Sequence, residues 1–388
     1  MHKFNVTFLI LLLCLLLAAC GPSGSASTGS DDHSDHAGED HDAHAGDHDD
    51  HGDEDEHAHG NEGGDLMLPE LDAISLDGRQ LKVVATTNII GDVIANIGGD
   101  QIELAVLMSQ GVDPHTYQST PQDLVALEQA DVIFVNGWDL EERLAEDIEE
   151  NFISKMVAIS AGIEPIDFGS GDDHDSEDGE HAEEEHADEE AHSEEDSHAE
   201  EEGDEHAHGH SGADPHVWFD VHNVERWAEN AAEILSEVDP GNANTYQANL
   251  DAYVEQLEAL EGEIETILEG LPAENRKLVT NHDALSYFAK EHNFELIGTV
   301  IPAASTSAEP SAGDLVELIE TMEHAGVCTL FGETTTSNEL AETVAAELDG
   351  CETVQVLNIY TGSLGEGEAS TYIGMFRSNV QTIVDGLQ

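Results

Sequence analysis

Residues 240–269 read PGNANTYQANLDAYVEQLEALEGEIETILE, and their pattern predicts how the rest of the chain is organised. After Pro240 and Gly241, apolar residues recur at spacings of three and four up to Ile267, which keeps one face of a helix apolar over several turns. A helix over residues 242–269 would be roughly 40 Å long at 1.5 Å per residue. Three heptads are few for a coiled coil. We therefore expect a rigid backbone helix that packs across two lobes.

Strand-like and helix-like segments alternate on both sides of this helix. Before it, short apolar runs lie at residues 81–86, 102–107, 131–136 and 156–159, with helical patterns at 91–97, 120–129 and 140–149. After it, strand-like runs lie at residues 277–281, 295–301, 327–333 and 353–358. Alternation of this kind is typical of parallel sheets covered by helices. The predicted fold is α/β, with two lobes that each contain a parallel β-sheet flanked by helices.

Two tracts do not have the pattern of a folded core. Residues 31–59 and 172–210 each contain eight histidines among acidic and small residues, without apolar periodicity. Such segments cannot offset their ordering entropy by burial. We expect the following domains: a signal peptide at 1–20, a flexible tether at 21–78, an N-terminal lobe at 79–166 completed by 213–240, a disordered loop at 167–212, the backbone helix at 241–272 and a C-terminal lobe at 273–388.

The charge of the chain excludes one class of partner. The formal net charge is −76, with only 10 Lys and Arg against 86 Asp and Glu. Nucleic acid is excluded as a partner, because binding phosphates needs a basic face. Cations are the natural partners of such a chain.

Three histidines outside the tracts are candidate ligands. His115 and His216 each follow an Asp-Pro pair, and Pro stiffens the loop that presents the histidine. His282 follows the strand-like run 277–281. Ligands of open α/β sheets bind beyond the carboxyl ends of strands, where His282 and, less clearly, His115 are expected. A single loop histidine would be unremarkable, but a repeated tripeptide that flanks a His-rich insertion favours a metal site.

Three motifs carry a family resemblance. They are Gly-Val-Asp-Pro-His-Thr-Tyr at 111–117, Asp-Pro-His-Val-Trp-Phe-Asp at 214–220 and Asn-His-Asp-Ala-Leu-Ser-Tyr-Phe at 281–288. In these motifs, and over nearly everything outside the signal and the tracts, the chain resembles the zinc and manganese solute-binding lipoproteins of ABC importers. The resemblance implies two α/β lobes beside a long backbone helix, with a metal ion in the cleft between them.

The resemblance also implies a ligand set. His115 and His216 match the two N-lobe ligands, and His282 matches the first C-lobe ligand, where zinc members have histidine and manganese members commonly have a carboxylate. Imidazole suits zinc, and manganese favours oxygen donors, so the expected cargo is Zn²⁺, with Mn²⁺ as the lesser alternative. Gly362 stands where many relatives have an acidic ligand. We expect water as the fourth ligand in preference to Glu333, which ends the strand-like run 327–333.

The expected function is a receptor that captures zinc outside the cytoplasm and delivers it to an ABC permease with its ATPase. One alternative is a zinc store or chaperone that uses its His-rich tracts, and another is a manganese receptor. A zinc hydrolase, which also has three histidines and an open position, lacks a zincin motif and an evident general base here. We therefore expect a monomeric binding protein that is not an enzyme.

The first residues predict a membrane anchor. An apolar run at residues 8–19 is too short to span a bilayer comfortably and leads through small residues into Cys20, which resembles a lipobox. We expect acylation of Cys20 and attachment to the extracytoplasmic face of the cell membrane. Cys328 and Cys351 would then lie in an oxidising compartment. There they form either a disulfide or two independent buried thiols.

Overall fold

Eight strands form two parallel sheets within residues 66–167 and 212–388, the part of the chain that the computed structural model describes. The first sheet contains β1 (Leu81–Ala85), β2 (Ile102–Val106), β3 (Val132–Val135) and β4 (Met156–Ala158). The second contains β5 (Lys277–His282), β6 (Glu295–Ile301), β7 (Thr329–Glu333) and β8 (Gln355–Ile359). The strand orders are β2-β1-β3-β4 and β6-β5-β7-β8, so the two lobes repeat one topology.

Helices connect and cover these strands. They are α1 (Asn88–Gly98), α2 (Pro121–Gln129), α3 (Glu142–Phe152), α4 (Val221–Val238), α5 (Ala243–Leu268), α6 (Ser286–His292), α7 (Ala312–Ala325), α8 (Glu339–Glu347) and α9 (Tyr372–Leu387). Capping boxes begin α2, at Thr120 with Asp123, and α7, at Ser311 with Asp314. The predicted fold class, two parallel α/β lobes, is confirmed.

The long helix α5 joins the lobes. It contacts α1 and α4 of the N-terminal lobe and α9 of the C-terminal lobe, and its apolar face is buried at positions from Tyr246 to Leu268. One hydrophobic core runs from residues of β1 through α4 and α5 to residues of α9. The helix bounds, Ala243–Leu268, differ from the predicted 242–269 by one residue at each end. The sequence analysis did not assign α4, which packs beside α5.

The start of the described chain corrects one predicted boundary. Four side chains of the predicted tether at residues 21–78 pack against the core, namely Leu68, Leu71, Ile74 and Leu76. The N–H of Ile74 also donates to the carbonyl of Val238, at 2.9 Å. The predicted tether is therefore too long at its C-terminal end, because a short segment without regular periodicity can still bury apolar side chains on a preformed surface.

The two ends of the insertion meet at the N-terminal lobe. Asp167 and Ala213 form an antiparallel bridge, and the N–H of Asp214 donates to the carbonyl of Ile166 at 2.8 Å. His216 therefore lies three residues beyond this bridge. The predicted His-rich tracts, at residues 31–59 and 172–210, lie outside the described residues, as does Cys20.

A disulfide closes part of the C-terminal lobe. Cys328 and Cys351 are joined, at a sequence separation of 23. The bond connects the residue before β7 to the segment that leads into β8. Among the helices of the described chain, none has the length and apolar character needed to cross a membrane.

Candidate metal centre

The cleft of the molecule lies at the carboxyl ends of the central strands. In the second sheet, β5 and β7 are neighbours, and the chain continues from β5 to the β6 edge and from β7 to the β8 edge. The strand order therefore reverses between β5 and β7, and ligands of open α/β sheets bind beyond the carboxyl ends of strands at such a point. His282 is the last residue of β5 and Glu333 the last residue of β7. Both are buried, with 2% of each residue exposed.

The structure brings the three predicted histidines together. The Nε2 atom of His216 lies 3.2 Å from that of His115 and 3.1 Å from that of His282. Their candidate ligand atoms all lie within 4.8 Å of one another, and all three residues are buried. Within residues 66–167 and 212–388, this is the one group of three or more His, Cys, Asp or Glu residues that meets this geometry.

The two Asp-Pro-His tripeptides have the same local structure. Asp113 Oδ1 accepts the backbone N–H of His115 at 3.1 Å, and Asp214 Oδ1 accepts that of His216 at 2.9 Å. An Asp that bonds the N–H two residues further on stabilises a tight turn, and the intervening Pro restricts the backbone. This explains why one tripeptide presents both N-lobe histidines.

A carboxylate lies behind each imidazole ring. Asp214 Oδ1 lies 2.8 Å from Nδ1 of His216, and Glu333 Oε1 forms a hydrogen bond with Nδ1 of His282. Glu142 Oε1 is more distant, at 3.6 Å from Nδ1 of His115. A carboxylate at Nδ1 favours the tautomer that has its proton there, which leaves Nε2 free to bind metal. The three Nε2 atoms face one another, as a shared ion requires.

Burial and charge act differently on the histidines. Burial lowers the pKa of His216 well below its ordinary value, and the nearby His282 and His115 rings lower it further. Burial would also lower the pKa of His282, but the charge and hydrogen bond of Glu333 outweigh it and raise that pKa. Burial raises the pKa of the Asp214 carboxyl to about 6. At neutral pH, the Asp214 carboxyl is therefore charged and the imidazole of His216 is neutral.

Glu333 is engaged on both oxygens. One oxygen faces His282, and the other accepts the hydroxyl of Thr361 at 2.7 Å. Burial would raise the pKa of Glu333, but the charge of His282 and these hydrogen bonds outweigh it and lower that pKa. This geometry suits a carboxylate that orients His282.

Gly362 approaches the N-terminal lobe closely. A Cβ at this position would lie 2.7 Å from Cδ of Pro114, in the first Asp-Pro-His loop. The backbone next to Gly362 also contributes to the interface, because the carbonyl of Thr361 accepts the indole N–H of Trp218 at 3.0 Å. A side chain at position 362 would therefore meet the opposite lobe.

Several supporting residues were missed by the sequence analysis. Asn136, at the end of the first sheet, donates from Nδ2 to the carbonyl of Pro215 at 2.9 Å, and Glu141 accepts the N–H of Asn136 at 2.7 Å. Glu142 and Thr361 were also missed, although they contact the site. For His216, the sequence did contain a signal for the carboxylate behind the ring, namely the Asp of the repeated Asp-Pro-His tripeptide. The other contacts had no recognisable sequence pattern, and that of Asn136 with Pro215 joins residues 79 positions apart.

Two α/β lobes around a long helix, with three converging histidines in the cleft, define the class of two-lobe solute-binding proteins with a candidate metal centre. Comparison with known proteins gives the family. Residues 83–386 match the family described as zinc-uptake complex component A, periplasmic. The chain belongs to this family, whose members are substrate-binding receptors of ABC importers.

Curated relatives agree with this assignment. The manganese-binding lipoprotein MntA of Halalkalibacterium halodurans is 30% identical over 315 residues, which cover 81% of this chain and 90% of the relative. The manganese ABC transporter substrate-binding lipoprotein PsaA of Streptococcus mitis is 29% identical over 319 residues, which cover 80% of this chain and 90% of the relative.

Solved structures share the fold. The periplasmic zinc-binding protein TroA of Treponema pallidum is 27% identical, with a TM-score of 0.62, and the match covers 79% of this chain and 99% of TroA. A cadmium-bound periplasmic metal-binding protein of Candidatus Liberibacter asiaticus is 26% identical, with a TM-score of 0.63, and the match covers 80% of this chain and all of that one. The chain is therefore a metal-binding receptor of an ABC importer, and the prediction that it is not an enzyme is confirmed by its family.

Proposed function

We propose that this receptor binds Zn²⁺ through His115, His216 and His282, with water as the fourth ligand. The observation that carries the proposal is the convergence of three buried imidazoles on one point. Three nitrogen donors and an open position are a common zinc arrangement, and imidazole suits zinc better than manganese. Glu333 orients His282 in this proposal and does not bind the ion.

Manganese is the second candidate cargo. It is favoured by the curated relatives, since MntA and PsaA are both named for manganese. The donor set argues the other way, because no carboxylate belongs to the converging group within the described chain. Manganese prefers oxygen ligands, so a site of three histidines is expected to hold it more weakly than zinc.

The remaining parts of the proposal concern delivery and location. The receptor would be anchored by a lipid on Cys20, act as a monomer at the extracytoplasmic face and hand its ion to a permease with its ATPase. The His-rich tracts would gather zinc weakly near the cleft and raise its local concentration. Mass spectrometry of the mature protein from membranes tests the anchor, because an unmodified Cys20 would contradict it.

Metal titration tests the cargo. A protein that begins after Cys20 and lacks residues 31–59 and 172–210 is titrated with Zn²⁺ and with Mn²⁺, beside a variant with His115→Ala, His216→Ala and His282→Ala. One tight zinc that is lost in the variant, with weaker manganese, supports the proposal. Tighter manganese at the same site supports the second candidate. Metal held only by the full chain would instead support the storage function of the tracts.

A further inference from the structure

The loop after β6, residues 302–311, reaches from the C-terminal lobe to the N-terminal lobe. Two adjacent hydroxyls of this loop donate to carboxylates of the other lobe. Ser305 Oγ donates to Glu142 Oε1 at 2.5 Å, and Thr306 Oγ1 donates to Asp113 Oδ2 at 2.6 Å. All four residues are part-buried. The loop thus crosses the cleft and forms two charge-assisted hydrogen bonds, which are stronger than neutral ones.

Both acceptor carboxylates also contact His115. Asp113 holds the backbone N–H of His115 through its other oxygen, Oδ1. The Oε1 atom of Glu142 that accepts Ser305 is also the atom that lies 3.6 Å from Nδ1 of His115. The bonds from the loop therefore end on two carboxylates that lie against His115, one hydrogen-bonded to its backbone and the other close to its ring.

The second Asp-Pro-His tripeptide shows that this arrangement is specific to His115. There, Asp214 Oδ1 bonds both the backbone N–H and the ring Nδ1 of His216. Asp113 contacts only the backbone of its own histidine, and Glu142 supplies the carboxylate behind the ring. The second oxygen of Asp113, Oδ2, accepts the hydroxyl of Thr306 in the loop.

We propose that Ser305 and Thr306 form an interlobe clasp that holds the cleft closed over His115 and slows the release of bound metal. The proposal rests on the proposed function, since the clasp acts on an ion bound by the three histidines. Opening of the cleft breaks both hydroxyl bonds and releases the two carboxylates that contact His115 from the loop. Ser305 and Thr306 are positioning residues, because they act through Asp113 and Glu142 and not on the ion itself.

The test measures zinc release from the full chain. Zinc-loaded protein is mixed with excess chelator, and the release of zinc is followed over time. The kinetic phase that a His115→Ala, His216→Ala, His282→Ala variant lacks is assigned to zinc release from the cleft. Because the tracts are identical in all variants, any zinc that they hold is expected to contribute equally to each and to stay outside this phase. With Ser305→Ala and Thr306→Val combined, we expect release about tenfold faster or more, as for lost hydrogen bonds to charged groups. Zinc association is expected to change much less.

Matched variants separate the clasp from a folding defect. The conservative pair Ser305→Thr and Thr306→Ser keeps both hydroxyls and is expected to keep slow release. Ser307→Ala, at an exposed position in the same loop, is expected to release zinc at the wild-type rate. The single variants Ser305→Ala and Thr306→Val are measured as well, and each is expected to speed release. If the combined variant has a lower melting temperature than the wild type without metal, the zinc-release rates of the single variants test the clasp.

Two results would overturn the clasp in different ways. Release at the wild-type rate from the hydroxyl-free variants would refute the clasp and leave the metal site intact. The same release profile for the wild type and the triple histidine variant would refute the metal site, and the clasp with it. The first result concerns residues 305 and 306 alone, so the failures of the two proposals are distinguishable.

Discussion

At the residue scale, the orientation of His282 depends on one buried carboxylate. Glu333 accepts from Nδ1 of His282 on one oxygen and from Thr361 on the other. We predict that Glu333→Gln lowers zinc affinity about 10- to 100-fold, because the amide favours the imidazole tautomer less strongly than the carboxylate does. Competition with a zinc chelator measures the change. The control is Glu320→Gln, which removes one charge from an exposed position of α7, and equal affinities of the two variants would refute the prediction.

A second residue-scale prediction concerns His292, which lies in the core with 6% of its surface exposed. Its ring packs edge-on to Phe288 at 4.7 Å, and burial lowers its pKa to about 4. The unfolded histidine has a pKa near 6.5, so between these values the unfolded state binds more protons and stability falls as pH falls. The slope is about 1.4 kcal/mol per pH unit, which amounts to about 3 kcal/mol between pH 6.5 and 4.

The variant His292→Phe isolates this effect. Urea unfolding of wild type and variant from pH 7 to pH 4 is expected to show a difference in unfolding free energy that shifts in favour of the variant as pH falls. Asp214 and Asp283, with pKa values raised to about 6 mainly by burial, act in the opposite sense but cancel in the difference. The same substitution at the exposed His324 is the control, and parallel pH profiles of wild type and His292→Phe would contradict the prediction.

At the scale of a single element, the helix α5 contains a glycine at a position where a side chain would meet no neighbour. Gly262 lies in the exposed part of α5, and a Cβ there would have nothing within 4 Å. We predict that Gly262→Ala raises the free energy of unfolding by about 1 kcal/mol, because alanine loses less backbone entropy in a helix. The shift of the denaturation midpoint measures it.

The matched control for this prediction is Gly98→Ala at the end of α1. A Cβ there would lie 2.2 Å from Cδ1 of the buried Ile102, so the same exchange is expected to destabilise the protein. If Gly262→Ala also destabilises the protein, then α5 is not a regular, solvent-exposed helix at that point.

At the scale of the whole molecule, the lobes meet closely at Gly362. A methyl group there would lie 2.7 Å from Cδ of Pro114, whose ring cannot rotate away. We predict that Gly362→Ala holds the lobes apart and weakens zinc binding about tenfold, which corresponds to about 1.4 kcal/mol. Calorimetric titration measures the affinity. Gly241→Ala, whose Cβ would make an ordinary 3.5 Å contact with Asp239, is the control, and full zinc affinity in Gly362→Ala would show that closure tolerates the methyl group.

Much of this architecture could be predicted from sequence because its signals are local. The apolar residues of α5 recur within a few helical turns, and the apolar run of a strand such as β3 lies within that single strand. These same residues are buried in the structure. The repeated Asp-Pro-His tripeptide likewise carries its turn within three residues. The three candidate histidines could thus be named before their distances were known.

The remaining features were decided by the tertiary structure. Ser305 meets Glu142 across 163 positions, Thr306 meets Asp113 across 193, and Glu333 meets His282 across 51. No local period encodes such pairs, because they depend on how two lobes close on each other. Local sequence patterns were enough to predict two α/β lobes, the long helix and the candidate ligands. The carboxylates behind the histidines and the hydroxyls that bridge the cleft could be identified only in the folded protein, because these contacts arise from packing between distant segments.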